Sequence, residues 1–182
     1  MNLQIVDGQG KTDSRNGYGN VIIGYNEDTG ILASRTGSHY LVVGTNHSWT
    51  SYGGAVIGAD NTATGIYASV TGGQINTATG PYASVTGGRN NTANGPRSSV
   101  TGGIDNTADE WYASVSGGDN NTANGRFASV SGGTGNTASG WFASVSGGDN
   151  NTASGSRASI LGGDTRGVSG ENGTYPFCGC GG

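Results

Sequence analysis

The chain has 182 residues and a net charge of −4, and it contains 38 glycines but only 3 prolines. Glycine does not recur at every third position, so the composition excludes a collagen triple helix. The acidic balance and the single lysine exclude a polycationic surface for nucleic acid. No apolar run is long enough to form a membrane-spanning helix, so we expect no membrane insertion.

The N-terminal part divides into a segment without a repeat, residues 1–16, and a region of irregular, larger coils, residues 17–60. This region contains three mainly apolar runs, each ending in glycine: Asn20–Gly24, Tyr40–Gly44 and Ala55–Gly58. Each run predicts a strand. The three glycines are 20 and then 14 residues apart, so we expect a loop of about six extra residues between Asn26 and His39.

Residues 61–164 form seven regular repeats of fifteen residues without any insertion. A Gly-Gly pair keeps the same step, beginning at Gly72, Gly87, Gly102, Gly117, Gly132, Gly147 and Gly162. Only 11% of the residues are charged, and disordered chains usually carry more charge and seldom keep a fixed register. The sequence therefore predicts an ordered solenoid.

Within each repeat, two short alternating segments end at glycines, as residues 136–138 and 142–147 illustrate. Alternation predicts strands and glycine predicts the turns between them. Two strands and two turns in fifteen residues make one flat coil, and stacked coils form parallel sheets. The predicted fold is an all-β parallel β-solenoid (β-roll) of about ten coils.

The predicted interior is thin, with two alanines and one valine per coil, such as Ala138, Ala143 and Val145. Ordering a coil costs more than this burial returns, so further stabilisation is needed. One candidate is an asparagine ladder in which each side-chain amide bonds to the next coil; the alternative is that asparagine merely favours turns. The ladder residues are Asn61, Asn76, Asn91, Asn106, Asn121, Asn136 and Asn151.

A second candidate is the position before each Ala-Ser-Val strand, where large side chains recur. It reads Tyr67, Tyr82, Arg97, Tyr112, Phe127, Phe142 and Arg157, with Ile66, Trp111 and Trp141 beside it. An interior of alanine and valine has no room for these rings, so we expect an outward ridge, either stacked in the open or buried against another chain. Because long exposed apolar ridges are rare on monomers, we favour an oligomeric interface.

The alternation of Ser-Val-x-Gly-Gly with Asn-Thr-Ala-x-Gly over roughly residues 17–164 resembles the head repeats of YadA-like trimeric autotransporter adhesins. That resemblance implies a left-handed parallel β-roll that associates as a trimer. The strand here reads Ala-Ser-Val-Ser where the family has a Ser-Val-Ala-Ile type of core. The trimer and any collagen-type binding are therefore implied by the resemblance alone, whereas an oligomer is argued from the residues themselves.

No catalytic, cofactor-binding or metal-ligating constellation is predicted. The only histidines, His39 and His47, lie among Gly, Ser, Thr and Asn, as loop residues do. Asp119, Asp149 and Asp164 recur in Gly-Gly-Asp turns but lack the nine-residue spacing of calcium-binding β-rolls. The sequence therefore favours a protein that is not an enzyme and needs no cofactor.

The last segment, residues 165–182, is predicted to leave the repeat as a tail that contains Cys178 and Cys180. Their separation by one residue would strain a mutual disulfide, which favours bridges between subunits; free thiols or a bridge within the tail remain the alternative. The first six residues lack the basic start and apolar stretch of a secretory signal, although open strand edges and few charges favour an extracellular or cell-surface location.

The predicted function is that of a structural subunit of an extracellular or cell-surface fibre, appendage or adhesin. It would assemble as a homo-oligomer through the aromatic ridge, as a trimer or as a filament joined end to end. One alternative is the head of a phage-like fibre that binds a glycan or a host receptor through the same rings. A second alternative is an ice-binding solenoid, because Ser69, Thr71 and their equivalents would present ranks of hydroxyls on a flat sheet.

Overall fold

The computed structural model describes residues 3–27 and 33–175, which form an all-β parallel β-solenoid of about nine turns. No helix occurs within these ranges. The predicted fold class is confirmed, and the left-handed sense that the resemblance implies stays a prediction. Cys178 and Cys180 lie outside the described residues.

Most coils contribute two short strands, one to each of two sheets. In chain order the strands are β1 (Val21–Ile23), β2 (Leu41–Thr45), β3 (Ser48–Trp49), β4 (Ala55–Ala59), β5 (Thr62–Ala63), β6 (Ser69–Val70), β7 (Thr77–Ala78), β8 (Ser84–Val85), β9 (Thr92–Ala93), β10 (Ser99–Val100), β11 (Thr107–Ala108), β12 (Ser114–Val115), β13 (Thr122–Ala123), β14 (Ser129–Val130), β15 (Thr137–Ala138), β16 (Ser144–Val145), β17 (Thr152–Ala153), β18 (Ser159–Ile160), β19 (Gly167–Val168) and β20 (Thr174–Tyr175). One sheet has the order β1-β2-β4 and then every even strand to β20; the other runs from β3 through the odd strands to β19.

The register of the sheets follows the spacing of the sequence. Every pairing is parallel, and the regular coils pair residues fifteen apart, as Ser129 pairs with Ser144. The first coils differ: Val21 pairs with Leu41, and Leu41 pairs with Ala55. These registers agree with the predicted insertion between Asn26 and His39, part of which, residues 28–32, lies outside the described ranges.

The repeat extends further than predicted, so the tail boundary after Asp164 is wrong. Gly167 pairs with Thr152, and Thr174 pairs with Ser159, each in the register of the preceding coils. Ser169 and Gly170 also keep the positions of the Ser-Gly pair one repeat earlier. This further coil lacks the asparagine and alanines of the motif, yet its backbone pairs with both strands of the preceding coil.

The interior has the predicted composition over the regular coils. Ala138, Ala143 and Val145 are at most 1% exposed, and their equivalents form one continuous core along the solenoid. The first coils contain a separate, bulkier cluster that includes Tyr40 and Trp49. The Tyr40 hydroxyl lies 3.3 Å from the Gly65 carbonyl oxygen, and burial raises the pKa of Tyr40 to about 12.

The structure places the seven predicted ladder asparagines in the interior, each with 0% exposure. Asn121 illustrates the pattern: its Oδ1 accepts from the backbone N–H of Asn136 at 2.9 Å. Its Nδ2 donates to the carbonyl oxygens of Gly117 at 3.0 Å and Gly133 at 2.8 Å. Each amide therefore bonds to its own coil and to the backbone of the next coil, rather than to the neighbouring asparagine side chain.

His47 occupies the ladder position in an N-terminal coil, where it reproduces the asparagine pattern with an imidazole. It lies in the short connection between β2 and β3, as predicted for a loop residue, and its side chain is fully buried. Its Nδ1 accepts from the Asn61 backbone N–H at 3.2 Å, and its Nε2 lies 3.1 Å from the Val43 carbonyl oxygen. These contacts require a neutral ring with the proton on Nε2, and burial lowers its pKa.

We expect Asn121→Ala to lower the free energy of unfolding by about 3 kcal/mol or more, because it leaves the Asn136 N–H and the Gly117 carbonyl without their partner. The Gly133 carbonyl keeps its hydrogen bond from the Asp119 N–H. Urea unfolding followed by circular dichroism measures this loss. Asn124→Ala is the matched control: Asn124 is exposed on the same coil, and its replacement should change stability by less than about 0.5 kcal/mol. Equal losses in both variants would contradict the structural role of the ladder.

We expect acid to destabilise the protein through His47. Its folded-state pKa lies below the value of about 6.5 in the unfolded chain, so between these two values only the unfolded state binds the proton. The free energy of unfolding therefore falls as the pH drops below about 6.5 and rises again as the pH is restored.

The matched variant for this pH dependence is His47→Asn, because a carboxamide can make the same contacts without titrating. The difference in unfolding free energy between wild type and His47→Asn should shift in favour of the variant from pH 7.5 to pH 5. Urea titrations at both pH values measure this shift, and parallel pH profiles for the two proteins would refute it.

Candidate functional site

A column of side chains in mutual contact runs along the outside of the solenoid, and it is the candidate functional site. Its members, here called the ring stack, are Arg15, Tyr52, Tyr67, Tyr82, Arg97, Tyr112, Phe127, Phe142, Arg157 and Glu171. It contains the predicted ridge residues Tyr67, Tyr82, Tyr112, Phe127 and Phe142. From Tyr52 to Glu171 consecutive members come from consecutive turns, so the column follows the solenoid axis. Arg15 reaches Tyr52 past the turn that contains Ser38 and His39.

From Tyr67 onward the stacked rings lie face to face, whereas Tyr52 meets Tyr67 edge to face, with centroids 5.3 Å apart and planes at 84°. The centroids of Phe127 and Phe142 are 4.8 Å apart with planes inclined by 2°, and those of Tyr112 and Phe127 are 5.0 Å apart at 6°. Tyr67 and Tyr82 stack at 5.4 Å and 20°. These distances match the coil spacing of about 4.8 Å, so the faces are directed at neighbouring rings and the edges are left at the surface.

Arginines continue the stack where it lacks rings. The Arg97 guanidinium carbon lies 5.3 Å from the Tyr82 centroid and 5.5 Å from the Tyr112 centroid, and its Nη1 donates to the Tyr112 hydroxyl at 3.0 Å. Arg157 lies 5.9 Å from the Phe142 ring and 3.4 Å from Glu171. The stack therefore alternates between cation–π contacts and ring stacking.

A shorter column flanks the ring stack and contains the predicted Trp111 and Trp141. The Arg126 guanidinium carbon lies between them, 5.7 Å from each indole ring and 5.3 Å from Phe127. Sequence reasoning did not single out Arg126. The spacing could have indicated it, because Trp111, Arg126 and Trp141 are each fifteen residues apart. The contact itself depends on adjacent coils lying close together.

The backbone at the regular positions of the ring stack is left-handed. Tyr67, Tyr82, Arg97, Tyr112, Phe127, Phe142 and Arg157 have φ between 54° and 60°. The predicted strand over residues 142–147 is therefore shortened to Ser144–Val145. Large side chains rarely adopt this conformation, and Gly53 and Asn172 occupy it in the flanking coils. The rings are thus kept at a site where the backbone favours glycine or asparagine, which is typical of a functional constraint.

The ridge residues remain substantially exposed, from 37% at Phe127 to 58% at Trp141. The stacked faces cover one another, so the exposed part of each stacked ring is its edge. The result is a long, narrow apolar surface with positive charge at Arg97, Arg126 and Arg157.

The outward hydroxyls form separate ranks on both sheets. On the even-strand sheet, Thr71 is exposed and Ser69 is half-buried, and Leu161 takes the position of Thr71 near the C-terminal end. On the odd-strand sheet, a rank of threonines that sequence reasoning missed is visible in every Asn-Thr-Ala motif. This rank consists of Thr62, Thr77, Thr92, Thr107, Thr122, Thr137 and Thr152.

The aspartates and histidines singled out in the sequence lie apart from the ring stack in the described ranges. Asp119, Asp149 and Asp164 lie exposed along one turn, and no group of three or more potential metal-ligating side chains occurs in the described part of the chain. His39 lies 3.8 Å from Asp7 near the N-terminal end. Across residues 3–27 and 33–175, no helix is long and apolar enough to span a membrane.

No family model matches this chain, and no curated protein matches it.

We expect the free energy of unfolding of Phe142→Gly to exceed that of Phe142→Ala by about 1 kcal/mol. In a β-strand the alanine variant is normally the more stable of the two. Both variants remove the ring, but only glycine adopts the φ of 56° at this position without strain. Thermal and urea unfolding of the two variants measure the difference. At Ser144, which lies in a strand, glycine should be the less stable of the two replacements, and the same order at both positions would contradict the assignment of strain to Phe142.

Proposed function

We propose that this protein is a non-enzymatic structural subunit of an extracellular or cell-surface fibre, appendage or adhesin, and that its copies associate through the ring stack. The observation that carries the proposal is a row of half-exposed rings held on left-handed backbone over successive coils. The repeats would supply length and stiffness, and the ring stack would supply the contact between copies.

Exposure and strain together support this role. An apolar row of this length is unusual on a monomer, and it includes Tyr82 at 53% and Phe142 at 47% exposure. Each ring from Tyr67 to Phe142 is also kept where glycine would relieve the backbone. Self-association would account for both the exposed rings and the strained backbone that carries them, because aromatic side chains and arginine are enriched in protein interfaces.

The geometry favours association over glycan binding at the ring stack. Sugars pack on ring faces, whereas the faces of Tyr112, Phe127 and Phe142 are covered by neighbouring rings and arginines. The alternative of a glycan- or receptor-binding fibre head therefore rests on Trp111 and Trp141 in the flanking column. Loss of glycan-array binding in Trp111→Ala and Trp141→Ala, with self-association intact, would favour that alternative.

The ice-binding alternative rests on the hydroxyl ranks, of which Thr71 and Thr86 are exposed members. The replacement of threonine by Ser116 and Ser146 in later coils removes the methyl groups from that rank, which weakens this candidate. Thermal hysteresis of the purified protein would favour ice binding, and its absence would leave the structural role.

We expect Phe127→Ser to abolish or strongly weaken self-association without unfolding the coil, because it removes a ring from the middle of the stack. Sedimentation velocity over a range of protein concentrations measures the change. Leu161→Ser is the matched control, since Leu161 is an apolar residue with 57% exposure that lies outside the ring stack. This control should associate like the wild type.

A wild-type chain that stays monomeric at every concentration, or a control variant that loses association equally, would overturn the proposed interface. Electron microscopy of the same samples separates discrete particles from long fibres and so tests the fibre role directly.

A further inference from the structure

We propose that two copies associate antiparallel, ring stack against ring stack, about a two-fold axis that passes between Arg97 and Tyr112. This inference rests on the proposed function and adds the arrangement of the partner, which is a second copy of this chain. It follows from the order of the residues along the stack, since a two-fold interface brings each residue opposite a defined counterpart.

The ten members of the ring stack have a self-complementary order. Reversing the order and aligning it with itself over its whole length brings Arg15 opposite Glu171, Tyr52 opposite Arg157, Tyr67 opposite Phe142, Tyr82 opposite Phe127, and Arg97 opposite Tyr112. None of these pairs joins like charges. Both arginines within the aromatic part face tyrosines, and the two ends of the interface are closed by opposite charges.

A parallel arrangement about a rotation axis would bring like charges together. Each residue would face its own copy, so Arg15, Arg97 and Arg157 would each meet an identical arginine, and Glu171 would meet Glu171. Like charges brought together at an interface suppress association. The charge order therefore disfavours the parallel trimer as an arrangement built on this surface.

Neighbouring antiparallel registers are less favourable than full overlap. A shift by one coil in one direction centres the axis on Arg97, which then meets its own copy, while Arg15 meets Arg157. A shift in the other direction centres the axis on Tyr112 and leaves Arg15 without Glu171. Only full overlap uses every member of the stack without a repulsive pair.

Charge exchange between the ends of the full chain tests this register. Arg15→Glu and Glu171→Arg, made singly, should each raise the dimer dissociation constant about tenfold, because each creates a like-charge pair at both ends of the dimer. The double variant should return it to within about threefold of the wild type. Sedimentation equilibrium measures the constants, and circular dichroism melting verifies that every variant is folded.

The control for this exchange is Lys11→Glu, which alters an exposed charge that lies outside the stack and should leave the dissociation constant unchanged. Failure of the double variant to restore association would overturn the antiparallel register. Restoration despite the new contact between Arg157 and the introduced arginine would support it, because only the opposite chain can then supply the compensating charge.

Cross-linking separates this inference from the proposed function. With Phe127 replaced by p-benzoylphenylalanine, intermolecular cross-links should map to the coil that contains Tyr82. Intermolecular cross-links to the coil of Phe127 itself would overturn the antiparallel arrangement while leaving self-association in place. A monomer without intermolecular cross-links would overturn both the arrangement and the proposed function.

Discussion

The close approach of successive coils is the constraint on which the structure depends. A side chain at Gly140 would place its Cβ 1.9 Å from the Gly155 carbonyl oxygen, and Gly125 meets Gly140 in the same way. Coils stacked at about 4.8 Å leave an interior for methyl groups and one carboxamide. Asn121 suits this space because its buried amide donates to two carbonyl oxygens and accepts from one N–H.

The same constraint explains the outer surface. Rings that do not fit the interior are carried by the turn, where left-handed backbone directs them outward along one line. The coil spacing is close to the separation of stacked aromatic rings, so Phe127 and Phe142 come to lie 4.8 Å apart. Ring stacking and cation–π contacts offset part of the backbone strain, and the edges left at the surface are available to a partner.

The first coils fill their interior with larger side chains. Trp49 and Tyr40 fill the wider interior, and the Trp49 Nε1 donates to the Gly37 carbonyl oxygen at 3.1 Å. His47 takes the place of the ladder asparagine with two ring nitrogens at the required positions. The imidazole places a titratable group in line with the uncharged ladder asparagines, so this end of the solenoid gains a pH sensitivity.

The sequence by itself determined the repeat, the two strands per coil and the inward Ala138, Ala143 and Val145, because these follow from spacing and alternation along one chain. Only the tertiary structure decided which groups Asn121 bonds, that Phe142 has a positive φ, that Arg126 lies between two indoles, and that residues after Asp164 form a further coil. Each of these depends on a neighbouring coil about 4.8 Å away. Such contacts arise between residues fifteen apart, and no local pattern specifies their geometry.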